Sequence, residues 1–209
     1  TSQDQDPEPT PSGGFVPDGA PPPAGFDGEG FTNYLLPYAG MTVLAFGAED
    51  ISCQRKGVQH LLPALTQLDD KSAVECLMFG SGALDVSDNL PHIHQLGYVD
   101  SLKRQALIYS AADIVVVPSL EDNQPQVGLE ALACGTPVVG FNAGGIPEYV
   151  RPGETGLLAE VGDSSDLSDQ IGWLVTHVDE RSEMGRRGRM MMEQEFEKNA
   201  QSQKQVDFY

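Results

Sequence analysis

Two carboxylates, Asp122 and Glu130, stand eight residues apart in the run PSLEDNQPQVGLEALACGTPVV from Pro118 to Val139. The run reads as a strand end, a polar loop, a short helix, a Gly-Thr-Pro break and a second strand. A helix starting near Pro125 presents unpaired amides and the positive end of its dipole, a setting that suits a phosphate or pyrophosphate. Glu130 falls in the first or second turn, where the dipole favours a carboxylate. Its two acceptor oxygens can also take two hydroxyls of a ribose. Asp122, in the preceding loop, can hold another polyol such as a sugar ring. The plainer alternative is that Glu130 only complements the dipole and Asp122 only caps the helix.

Arg55 and Lys56 offer charge for a diphosphate, the lysine as a point charge and the arginine as a planar fork. A solvated basic pair is the usual reading of two neighbouring cations, but this chain has only 12 basic residues in all. Gly80-Ser81-Gly82 and Gly144-Gly145 permit close backbone approach to a ligand, or simply make tight turns. His92 and His94 lie two apart with no obvious third ligand nearby, so they read as two unrelated histidines and no metal site is assigned. The three cysteines, Cys53, Cys76 and Cys134, are far apart and form no Cys-x-x-Cys pair. They read as reduced thiols of a cytoplasmic protein.

The elements that must position these groups alternate along the chain. Met41–Gly47, Ala73–Phe79, Ile93–Gly97, Asp113–Val117, Pro137–Phe141 and Gly156–Glu160 read as strands. Helical spacing runs from Gly57 to about Leu68, where Pro63 predicts a kink or a later start. Further helices are expected over Ser101–Ala111 with Ser101 as N-cap, near Pro147–Val150, from Asp166 onward, and over Glu180–Glu197. Such alternation predicts an α/β fold, a Rossmann-like parallel sheet with helices on both faces. Ligands of such sheets bind beyond the carboxyl ends of the strands. The Arg55-Lys56 loop, Gly80–Gly82, Glu121–Gln126 and Ala143–Gly145 all fall at that edge, which favours the ligand reading of the acid pair.

Composition sets the bounds. The net charge of −19 argues against a nucleic-acid or anionic-membrane surface. No segment carries the roughly 18 to 20 consecutive apolar residues of a membrane helix. Residues 1–30 are rich in Pro, Gly, Asp and Glu with no basic residue; they predict a disordered tail, with residues 31–40 as a lead-in. The chain begins with Thr and so reads as processed, trimmed or a fragment.

The run ADIVVVPSLEDNQPQVGLEALACGTPVVGFNAGGIPEYVRPGETGLL resembles the C-terminal, nucleotide-sugar-binding domain of family 4 glycosyltransferases of the GT-B fold. So do KGVQHLLPAL, FGSG, and LGYV with the helix up to SAAD. The resemblance spans roughly residues 41–209. It implies that Glu130 matches the second acid of the family's pair, the ribose ligand. Asp122 stands at the first position, where Glu is usual, beside Glu121 and Asn123. Lys56 matches the phosphate-binding lysine. Ala48 stands where the family often has an arginine on the phosphates, with Arg55 as a substitute. The donor-binding set is therefore Lys56, Arg55, Asp122, Asn123, Glu130, Gly80, Gly82, Gly144 and Gly145, with no catalytic nucleophile or base assigned.

The resemblance further implies an enzyme of hexosyltransferase type in glycan biosynthesis. It would bind a nucleotide diphosphate sugar and transfer the sugar with retention to an unidentified glycan, lipid or small-molecule acceptor. No essential metal or other cofactor is expected. The acceptor-binding N-terminal domain of the family has no counterpart before Met41, so a separate N-terminal domain is a candidate partner. The family's final helix, which crosses back to that domain, would then have nothing to pack on. A non-catalytic nucleotide-sugar-binding remnant, or an assembly partner, is the alternative. A nucleotide-sugar epimerase of similar architecture fits the motifs less well.

Overall fold

A computed structural model of the chain describes residues 40–84, 86 and 88–195. The tail and most of the lead-in expected before residue 40, and the end of the last expected helix, lie outside the described residues. Six strands form one sheet: β1 (Thr42–Asp50), β2 (Val74–Ser81), β3 (His92–Gln95), β4 (Ile114–Val117), β5 (Val138–Phe141) and β6 (Gly156–Ala159). Every neighbouring pair is parallel, in the order β3-β2-β1-β4-β5-β6. That is the order of the doubly wound dinucleotide-binding sheet, which reverses direction between β1 and β4.

The helices are α1 (Val58–Thr66), α2 (Leu102–Ala111), α3 (Gln126–Ala133), α4 (Ile146–Tyr149), α5 (Ser164–Thr176) and α6 (Val178–Glu195). Strand side chains alternate between two covered faces, so the apolar runs are continuous rather than alternating. Leu44, Phe46, Cys76 and Ile114 meet α1 and α5 on one face. Val43, Ala45, Leu77 and Val115 meet α2, α3 and α4 on the other. Burial pushes the Cys76 thiol up to about 12, so this cysteine is a packing group. All three cysteines are free thiols.

The differences from the sequence reading have physical causes. Strand β1 runs on to Asp50, past a register shift after Gly47, because Asp50 pairs with Ser81 of β2. Pro63 does not delay α1, which starts at Val58 and continues through it. Pro63 and Gln59, whose carbonyl it leaves unpaired, both face solvent, where water can satisfy the oxygen. Ser101 occupies the N-cap position of α2 but makes no side-chain cap bond. Asp163 does cap α5, accepting from the Ser165 and Asp166 amides.

The last described helix, expected to find nothing to pack on, packs on this domain. Gly185 of α6 lies against the Gly135 carbonyl and Gly188 against Leu132, closer than any Cβ would allow. Small residues at these two positions let α6 settle onto α3. Arg181 anchors the helix start. Its guanidinium donates to Asp113 at 2.9 Å, to the Leu174 carbonyl at 3.2 Å and to the Thr42 hydroxyl at 3.1 Å.

Candidate functional site

The sheet order places one crevice at the carboxyl ends of β1 and β4, where neighbouring connections leave on opposite faces. A cavity of about 260 Å³ lies there. Its walls include Gly47 and Ala48 from β1, Ser119 after β4, and Gln126 and Val127 from the first turn of α3. Those first-turn amides have no partners within the helix, so a polar, electropositive wall faces the cavity.

Lys56 and Asp122 also line this cavity. Lys56 Nζ donates to Asp122 Oδ2 at 2.7 Å, with both side chains largely covered. Asp122 therefore does not cap α3; Pro125 holds the N-cap position, with no side-chain cap bond. The aspartate instead holds a cation beside the helix start. An ammonium has three donors, so this ion pair leaves Lys56 able to meet an incoming anion.

Backbone packing fixes the loops that carry the pair. Gly57, with φ of 80°, follows Lys56 and presses on the Pro118 carbonyl, where any Cβ would collide. The Leu120 amide donates to the Arg55 carbonyl at 2.9 Å. On the other side Gly144, with φ of 52°, sits against the Asp122 carbonyl. The Gly145 amide donates to that same carbonyl at 3.1 Å. Thus Gly144 and Gly145 meet the site through the loop that bears Asp122 and Asn123.

The other expected residues lie further out. Arg55 is exposed, and among the described residues its guanidinium reaches the Glu121 carbonyl, at 3.5 Å. Asn123 is exposed beside Asp122. Gly80 packs on the Ala48 carbonyl and Gly82 near the Asp50 side chain, at the end of β1, and neither lines the cavity. Glu130 sits one turn beyond Gln126 and Val127 on the same face of α3.

Tyr109 is a site residue that the sequence did not disclose. Its hydroxyl donates to Glu130 Oε2 at 2.9 Å. Burial first, then the Glu130 charge and its hydrogen bond, push the phenol well above its ordinary value, so it stays a donor. The bond fixes the carboxylate and leaves its second oxygen without a side-chain partner among the described residues. Tyr109 itself is placed by the Gly-Thr-Pro break, since the buried Thr136 hydroxyl donates to the Tyr109 carbonyl at 2.6 Å. Nothing local to α2 marks this tyrosine as more than a core aromatic, because its partner lies 21 residues away.

His92 and His94 are not unrelated histidines. Both ring systems meet one carboxylate oxygen of Glu75, at 3.0 and 2.8 Å. The parallel register of β2 with β3 puts Glu75 directly beside His92, a pairing invisible in the linear sequence.

Comparison with known proteins agrees with this architecture. Residues 40–177 match the family model of the glycosyl transferases group 1. A D-inositol 3-phosphate glycosyltransferase from Corynebacterium jeikeium is 50% identical over 78 residues, covering 37% of this chain and 19% of that one. The structure of sucrose-phosphate synthase from Thermosynechococcus elongatus superimposes with a TM-score of 0.71 at 27% identity, over 85% of this chain and 47% of that one. The C-terminal domain of a glycosyl transferase group 1 family protein from Francisella tularensis gives a TM-score of 0.63 at 20% identity, over 76% of this chain and 87% of that one. This chain thus spans less than half of the full-length relatives and most of an isolated C-terminal domain. With the sheet order and the motif run in register, the chain belongs to the glycosyl transferases group 1 and carries the C-terminal, Rossmann-like half of the GT-B fold.

Proposed function

We propose that the chain binds a nucleotide diphosphate sugar at the β1–β4 crevice and serves as the donor half of a retaining glycosyltransferase. The observation that carries the proposal is the Lys56–Asp122 pair, held beside the first turn of α3 in the switch-point cavity. On donor binding the diphosphate takes the place before the α3 amides and Lys56, while Glu130 accepts the ribose hydroxyls. Asp122 and Asn123 face the sugar. Arg55 reaches in from the rim, and Gly80, Gly82, Gly144 and Gly145 shape the surrounding loops.

Transfer breaks the bond between the anomeric carbon and the diphosphate oxygen. The electron pair leaves with the diphosphate, and the acceptor oxygen bonds to the anomeric carbon as its proton passes to the departing diphosphate oxygen. Lys56 and the α3 amides stabilise the charge developing on the leaving oxygen, which assigns no step to a metal. The acceptor-binding half of the GT-B architecture completes the cleft, whether it lies in the same protein or in a partner.

Calorimetry with uridine, guanosine and adenosine diphosphates and their sugars tests the donor site. Glu130→Ala should weaken nucleotide diphosphate binding by about tenfold or more, because a charged acceptor is worth on the order of 1.5–3 kcal/mol. Tyr109→Phe should weaken it a few-fold by releasing the same carboxylate. Equal affinity in wild type and Glu130→Ala would remove the ribose assignment. A second reading, nucleotide-sugar binding without turnover, is favoured by Ala48, a small neutral side chain on the cavity wall. Turnover on adding an acceptor domain separates the two readings.

A further inference from the structure

A second cluster lies at the opposite end of the sheet. Glu75 is the second residue of β2, and His92 begins the edge strand β3, so both stand at the amino end, away from the donor crevice. In the parallel register Glu75 pairs with His92 and Leu77 with His94. Residues two apart on a strand share a face, so the two imidazoles and the carboxylate project to one side. Glu75 is 7% exposed and the His94 side chain 8%. The His92 ring is about half exposed and stands at the opening.

Three atoms converge there. His92 Nδ1 and His94 Nε2 lie 3.0 and 2.8 Å from the same Glu75 oxygen, and 2.9 Å from each other. With Glu75 ionised, protons alone leave a conflict in this triangle. If both rings donate to Glu75, two N–H groups confront each other at 2.9 Å. If His94 Nε2 carries no proton, its lone pair faces a carboxylate lone pair at 2.8 Å. If His92 Nδ1 carries none, the same opposition arises at 3.0 Å. A cation in front of the triangle takes all three lone pairs at once. Right-angled bonds of about 2.05 Å put neighbouring ligand atoms about 2.9 Å apart, which is the separation found on all three sides.

We propose that Glu75, His92 and His94 bind a divalent first-row transition metal ion on one face of coordination, with water completing the set. Two neutral imidazoles and one carboxylate suit zinc, cobalt or nickel rather than calcium or magnesium, which take all-oxygen sets. The ion clips the edge strand β3 to β2. It sits at the far end of the sheet from Lys56 and Asp122, so it has no part in sugar transfer. The exposed His92 ring gives the ion its route in.

The test titrates chelator-stripped protein with Zn2+ by calorimetry and with Co2+ by visible absorption. The expected result is one ion per chain, at micromolar affinity or tighter. A saturating excess of Zn2+ of about 100 times Kd should raise Tm by roughly 5–10 °C. His92→Ala removes an exposed ring with little core packing and should weaken binding at least tenfold and abolish the cobalt spectrum. His94→Ala and Glu75→Gln should do the same, while His177→Ala changes nothing. If the wild type and His92→Ala bind zinc alike, or the wild type takes up none at 100 times micromolar concentration, the site does not exist. Because His92→Ala tests the site at its exposed edge, a folding failure of the two buried variants leaves the decision intact.

Discussion

Lys56→Ala should lower the affinity for a nucleotide diphosphate by on the order of a hundredfold while leaving nucleoside binding nearly unchanged. Lys56 is the cation that lines the switch-point cavity, held at 2.7 Å from Asp122. A hydrogen bond to a charged partner is worth roughly 1.5–3 kcal/mol, and the partly covered setting places it at the upper end. Removing the ammonium has a second effect, because it leaves the Asp122 carboxylate facing the diphosphate with no counter-charge. The double variant Lys56→Ala with Asp122→Asn should therefore recover part of the lost affinity. Titration of the two variants with a nucleoside, its monophosphate and its diphosphate checks this. A uniform loss for all three ligands would mean that the lysine supports the loops and does not meet phosphate.

Arg181→Ala should destabilise the fold by roughly 1.5–3 kcal/mol. Arg181 is 8% exposed, and its guanidinium joins α6 to Asp113 before β4 and to Thr42 at the start of β1. Breaking a fully buried pair typically costs about 3–5 kcal/mol, but the Asp113 side chain is 33% exposed, so the loss stays near that of hydrogen bonds to a charged group, roughly 1.5–3 kcal/mol. The lost cation leaves Asp113 with the Val43 amide, at 2.8 Å, as its partner among the described residues. Urea unfolding followed by far-UV circular dichroism measures the effect. A change below about 1 kcal/mol would show that α6 is held by its other contacts, among them Gly185, Gly188, Met184, Met191 and the Arg151–Glu195 pair.

Where the fold was legible, local pattern and global packing agreed. The β-branched run Asp113–Val117 is typical of a strand covered on both faces, and the strand-helix alternation implies a parallel sheet. Lys56 was legible because it follows a strand exit in a chain with few cations. Its salt bridge to Asp122 was not, since 66 residues separate them. Tyr109 and Glu75 escaped notice for the same physical reason. Neither residue carries a local signal, because only the pairing of distant strands and helices brings their partners to them. The partner of α6 was not legible, because the resemblance assigns the final helix to a different domain, whereas Gly185 and Gly188 bring it close to α3.

The junction at the ligand crevice is also the shortest seam in the sheet. Across it only Leu44 with Ile114 and Ala45 with Val115 stand in register, whereas β1 runs beside β2 from Thr42 to Asp50. The two halves of the domain thus share the fewest paired strand residues where Lys56 from one half faces Asp122 and α3 from the other. A diphosphate held between them is a stitch across that seam. Donor binding should accordingly register as slowed amide hydrogen exchange along both β1 and β4, far beyond the residues it touches.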